Sequence, residues 1–145
     1  MTAAPLKKLS VTVDSFKSGS RIPAKYAYCV AAKTGHTAHG GDVNPRVRWS
    51  KGPAGTKSYA IVTVDPDVPT VFDDADKEGK TIPAGMKRMN FYHWLLVDIP
   101  ASKAEIAMGA DSNGFTGKGK PTGPTANGLR GANDYSGAKG VFGGY

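Results

Sequence analysis

Two stretches constrain the fold more than any other feature: SYAIVTVDPDVP at residues 58–69 and FYHWLLVDIP at residues 91–100. Both are dense in β-branched and aromatic residues, which suit a pleated, buried surface, and both finish at prolines, which cannot donate to a hydrogen-bond ladder. The unbroken apolar run of SYAIVTVD predicts a strand buried on both faces, in the middle of a sheet. FYHWLLVDIP predicts a second buried strand. If the two pair antiparallel, the end of the first lies beside the beginning of the second.

The remaining segments predict shorter pieces. KLSVTVDSF alternates Leu9, Val11 and Val13 against Ser10, Thr12 and Asp14, the period of a strand with one buried face. KYAYCV reads as another strand with Tyr26, Tyr28 and Val30 on one side, and RVRWS as a third. AAKTGHTAHGGDVNP has no period and reads as an exposed loop carrying His36 and His39. VFDDADKEGKTIPAGMKRMN is a polar connection of unusual length. Ser102 and Glu105 have the S-x-x-E spacing of a capping box, so a short helix is expected over residues 102–109, closing on Gly109. Beyond it the chain is Gly-rich, and Phe115, Leu129, Tyr135, Val141, Phe142 and Tyr145 follow no period. Such a segment lies over the rest, binds something, or stays disordered. With 19 Gly and 10 Pro among 145 residues, many turns between short strands are favoured over long helices, and the expectation is a mainly β domain over residues 1–145.

The single Cys29 cannot close an intramolecular disulfide, and MTAAPLKKLSV lacks the apolar core of a secretory signal, so a cytoplasmic location is expected. Membrane insertion is not expected, because no apolar run reaches the ~18 residues a bilayer span requires. The net charge of +7 is uneven, residues 1–60 holding ten Lys and Arg against two acids. That field could draw phosphate-rich partners, and a solvated surface accounts for it as well. No nucleic-acid partner is expected, since Tyr26, Tyr28 and Trp49 form no stacking motif.

Asp65 and Asp67 stand where one long strand ends, and His93 near where the other begins. A carboxylate beside an imidazole favours the protonated ring and can hold one nitrogen, leaving the other N–H for a ligand oxygen. That combination suits an anion such as a phosphoryl group. Pro66 and Pro69 would hold the acids at the rim without a sheet partner. Asp-Pro is also a common strand terminator and a His at a strand start is often structural, so spacing alone leaves both readings open. No catalytic residue is assigned: neither a G-x-S-x-G elbow nor a Cys/His signature is present. No metal or other cofactor is expected. DDADKEG lacks the Gly and Glu positions of a calcium loop, His36 and His39 have no acid or Cys at ligand spacing, and GFTGKGKPTGP lacks the order of a phosphate loop.

DPDVP followed by HW and then VDIPA resembles the phosphatidylethanolamine-binding protein family, in its bacterial Raf-kinase-inhibitor-like branch. The likeness extends over nearly the whole chain, through Ser15–Tyr26, NPRVRWS (Asn44–Ser50), PAGTKSYAIVTVDPDVP and GLRGANDY (Gly128–Tyr135). The resemblance implies a β-sandwich with a large central antiparallel sheet, a smaller second sheet, and a pocket at the strand ends for phosphate or a phosphorylated headgroup. By position it implies pocket roles for Asp65, Asp67, Pro69 and His93, walls from Val68 and Phe91, and a place at the pocket for Tyr145. The implied function is a binding module for small anionic or phosphorylated ligands, with regulation of a kinase or protease as its outlet; the alternative is a hydrolase using Asp and His as acid and base. Family members continue past a segment like GGY with a Gly-Pro-x-Pro-Pro loop and an H-x-Y-x-F strand, whereas this sequence stops at Tyr145. The loop over residues 29–43 is also longer than in compact members. The expectation is therefore a C-terminally incomplete domain whose last central strand comes from another chain or fragment by strand addition.

Overall fold

A computed structural model describes residues 8–35, 37–75, 77–117 and 119–132. Among these residues nine strands follow in order: β1 Val11–Val13, β2 Cys29–Ala31, β3 Thr37–His39, β4 Val47–Trp49, β5 Ser58–Pro69, β6 Arg88–Pro100, β7 Glu105–Ile106, β8 Gly123–Pro124 and β9 Leu129–Arg130. The two apolar stretches become the two long strands, β5 and β6, paired antiparallel as expected. They lie in a four-stranded sheet ordered β5-β6-β9-β8, while β1-β4-β7 form a second sheet and β2-β3 a separate hairpin. The architecture is the mainly β one anticipated, with a larger and a smaller antiparallel sheet.

The core lies between these two sheets. Val47, Trp49, Trp94, Leu96, Ile99 and Ile106 form one buried cluster, with Val13, Tyr59 and Ile61 packed against it. β4 shows why RVRWS makes a strand: Val47 and Trp49 face inward while Arg48 between them faces water. Arg48 and Arg46 both pair with Asp14, and Arg46 reaches Glu105 at 2.6 Å. That hydrogen bond and the Glu105 charge push the Arg46 guanidinium further up from an already high value.

The β5–β6 ribbon carries three irregularities, and each shifts which face a side chain meets. Between the pairs Tyr59–Ile99 and Ile61–Leu96, β6 has an extra residue, and Asp98 adopts φ 52°, a left-handed conformation that Asp tolerates better than most residues. Between Thr63–Trp94 and Val64–Tyr92, the extra residue on β6 is His93. Between Asp65–Phe91 and Val68–Met89, the excess is on β5, at Pro66 and Asp67.

Several expectations are corrected. Residues 102–109 form no helix: a turn leads into β7, which pairs with β4 through Val47–Ile106 and Arg48–Glu105. Two helical turns are too short to hold on their own, and the capping spacing loses to a tertiary bargain in which Ile106 is fully buried and the Glu105 carboxylate is taken by Arg46. β5 is only half-buried, at Tyr59, Ile61 and Asp65 on its inner face, and lies at the sheet edge, with no strand on its outer side among the described residues. Lys25 and Tyr26 of KYAYCV belong to a single 3-10 turn, Ala24–Tyr26, with Tyr26 buried, and only Cys29 onward is strand. The loop over 29–43 contains the β2–β3 hairpin, paired from Cys29–His39 to Ala31–Thr37. Leu9 and Val11, expected on a buried face, are exposed.

Candidate functional site

Asp65 sits directly opposite Phe91, and residues opposite one another on an antiparallel pair share a face. His93 follows two residues after Phe91 and keeps to the same side, its ring edge-on to the Phe91 ring at 5.5 Å between centroids. Asp65 and His93 are thus diagonal neighbours on the inward face of the ribbon. Phe91 is buried, and Asp65 and His93 are half-buried, at the point where the apolar core gives way to solvent.

The β5 bulge sets the acids apart from one another. Asp65 Oδ1 accepts the backbone N–H of Asp67 at 2.8 Å, a turn in which the side chain stands in for a ladder partner while Pro66 has no N–H to give. This fixes the carboxylate of Asp65 on the ribbon and turns Asp67 away: the Asp67 side chain is 84% exposed. Its carboxylate lies 3.7 Å from Arg88 Nε, and Arg88 Nη1 donates to the Asp67 carbonyl at 3.2 Å. Val68 and Pro69, both half-buried, pair with Met89 and Arg88. Tyr145 lies outside the described residues.

Two features were not read from the sequence. Arg88 ties down the DPDVP bulge and puts a cation on the rim; the clue was its place opposite Pro69, which only the register reveals. Asp111, in a loop with no recognisable motif, is the second. Its buried carboxylate accepts the Trp94 indole N–H at 2.7 Å and the Arg130 guanidinium at 3.2 and 3.0 Å.

The other candidates have partners of their own. His39 stacks on Phe115 at 3.7 Å with Tyr28 at 4.8 Å from the same ring, so it is engaged in an aromatic cluster; His36 is outside the described residues. Burial pushes the Tyr28 phenol up, with Cys29 and Asp42 adding to the effect. Lys120, from the stretch read as an exposed loop, is buried and paired with Asp42 at 3.3 Å. Among the described residues no three His, Cys, Asp or Glu side chains converge as a metal site, and no helix is long and apolar enough to cross a membrane. A cavity of about 330 Å³ opens between β1, β4 and β5, lined mainly by Leu9, Val11, Trp49, Pro53, Tyr59 and Ile61. Residues 58–61 of β5 contribute to its wall, and it does not include Asp65 or His93.

Comparison with known proteins agrees with this architecture. Residues 12–144 match the family described as phosphatidylethanolamine-binding protein. The chain is 28% identical over 133 residues to the UPF0098 protein YbcL of Escherichia coli, covering 92% of this chain and 57% of YbcL. It is 30% identical over 98 residues to a UPF0098 protein of Aquifex aeolicus, covering 68% of this chain and 41% of that protein. The crystal structure of E. coli YbcL, described as a new member of the mammalian PEBP family, superposes with a TM-score of 0.51 at 24% identity, over 87% of this chain and 66% of that one. The chain therefore spans roughly half the length of the curated relatives it matches.

Proposed function

The chain belongs to the phosphatidylethanolamine-binding protein family, and we propose on that premise that it is a binding module for small anionic or phosphorylated ligands, received at the face shared by Asp65, Phe91 and His93. The observation that carries this reading is the bulged register, which sets Asp65 opposite Phe91 and turns His93 to the same side. In this reading an imidazole N–H donates to a ligand oxygen, Phe91, Val68 and Pro69 form apolar walls, and Tyr145 completes the set of ligand residues. Asp67 acts from the rim, where it holds Arg88 so that the guanidinium charge attracts an anion. Regulation of a kinase or protease would follow from competition between a partner's phosphoryl group and the free ligand. A sequence with a single cysteine, Cys29, suits the reducing cytoplasm.

The test is a titration of the protein with inorganic phosphate, followed through the His93 ring signals by NMR. Saturable movement at millimolar phosphate is the expected result; unchanged signals at tens of millimolar would remove the reading. Assays of wild type and His93→Ala on general esterase and phosphatase substrates separate it from the hydrolase alternative, which alone requires turnover that the substitution abolishes.

We propose further that β5 accepts a strand from a complementing chain or fragment. In support, its outer edge is unpaired among the described residues, Val62 and Val64 are exposed along it, and the cavity beside it offers an apolar slot for inward side chains. Intact-mass analysis of the purified protein should find a bound peptide of a few tens of residues. A stable, folded monomer carrying nothing would argue the opposite.

A further inference from the structure

His93 is the extra residue of a bulge on β6, and a bulge aims a side chain only as firmly as its neighbours are held. On one side of His93 the ribbon is pinned at Val64–Tyr92, and on the other at Thr63–Trp94. Trp94 is 2% exposed, and its indole N–H donates to Asp111 Oδ2 at 2.7 Å. The Asp111 carboxylate is fully buried and is also gripped by Arg130, through Nε to Oδ2 at 3.2 Å and Nη2 to Oδ1 at 3.0 Å. Arg130 Nη2 in addition bonds the Asp111 carbonyl, and Nη1 donates to the Pro121 carbonyl at 3.0 Å. The backbone of Asp111 is fixed from the other side, since Asn44 Oδ1 accepts both the Asp111 and the Ser112 N–H at 2.9 Å. Asn44 is itself fully buried and donates to the Ala107 carbonyl.

This chain of contacts runs from the segment before β4 to β9 and ends on the residue adjacent to His93. We infer that the Asp111–Arg130 pair is a positioning device for His93: by locking the Trp94 indole it fixes the second half of the bulge and hence the direction in which the imidazole points. Asp111 reaches the ribbon at Trp94, and Arg130 reaches it through Asp111. An apolar pair could fill the same space, but it could not hold the indole N–H in one direction. The consequence for binding rests on the anion-site reading given above; the consequence for the ring's orientation does not.

The experiment compares the ring signals of His93 in wild type, Asp111→Asn and Arg130→Lys, first without ligand and then with inorganic phosphate. Arg130→Lys keeps the charge, loses the two-pronged geometry, and is the milder variant should Asp111→Asn not fold. Ile106→Val, a conservative loss in the same core, serves as the control for destabilisation alone. The expected result is that both polar variants displace or broaden the His93 signals without ligand and weaken phosphate binding about tenfold, about 1.4 kcal/mol, while the control changes neither. Signals and affinity that match wild type in folded variants would overturn the inference, as would an equal displacement in the control. If the ligand-free signals move while even wild type ignores phosphate, positioning stands and the anion reading falls.

Discussion

The two faces of the β5–β6 ribbon are built from similar residues and meet different fates. On the inner face Ile61 lies opposite Leu96 and Thr63 opposite Trp94, and Leu96 and Trp94 are buried. On the outer face Val62 lies opposite Leu95 and Val64 opposite Tyr92, yet Val62 is 54% exposed, Val64 43% and Tyr92 39%. Exposure of single apolar residues is ordinary, but neighbours on one face make a patch, and patches mark surfaces with work to do. The contrast teaches that apolar composition specifies a strand, while burial depends on whether another layer arrives to cover it. Here the inner face has the β1-β4-β7 sheet.

The strongest way to break the contrast is to empty the inner face. Trp94→Ala should cost about 3–5 kcal/mol in urea unfolding, the range for removing a buried aromatic, and because it also frees Asp111 from a partner it belongs at the upper end. A loss below about 1 kcal/mol would mean that the inner face is no better packed than the outer. Next in size is Gly128→Ala, where an added methyl would collide with the Val97 carbonyl and sit 3.3 Å from Ile99 N. Pushing β9 off β6 should cost about 1–3 kcal/mol, as overpacking does, and a neutral outcome would show that this part of the sheet is loose.

Smaller effects sharpen the picture. Asp67→Asn removes an exposed partner of Arg88 and should change stability by no more than about 1 kcal/mol, as exposed pairs do, with the difference shrinking in molar salt. A larger loss would reveal that the rim pair supports the fold. The least effect is expected from Val62→Thr on the outer face, within about 0.5 kcal/mol if water lies against it. A cost above about 1 kcal/mol would instead mean that something covers that face, and would favour the proposed strand addition.

How legible the site was depended on which residue is considered. Asp65 and His93 could be brought together from the sequence because two apolar runs of matching length pair antiparallel and the polar groups mark their ends. Asp67 could not be placed, because a bulge at Pro66 and Asp67 turns its side chain outward, and the excess of one residue becomes visible only against a partner strand. Arg88 and Asp111 were silent for the same reason: their partners lie 21 and 17 to 19 positions away and follow no periodicity. Lys120 looked like loop surface from its Gly-rich surroundings, and only the fold brought Asp42 within reach. The anticipated helix at 102–109 failed in a similar way, because a local cap of modest worth competed with the burial of Ile106 and an ion pair to Arg46 beside the neighbouring strand of the same sheet.

By itself the sequence determined the class of structure, the two long strands, the family resemblance that implies an antiparallel sheet, and the pair of polar groups at the strand ends, since all of these follow from local periodicity and from short motifs. The tertiary structure alone decided the register, with its three offsets, the face each side chain meets, and the network in which half-buried Arg130 and buried Asn44 hold the buried Asp111 against Trp94. The physical reason is that periodicity is a property of neighbours along the chain, whereas a bulge and a buried ion pair are properties of neighbours in space, set by which distant groups the packing leaves without water.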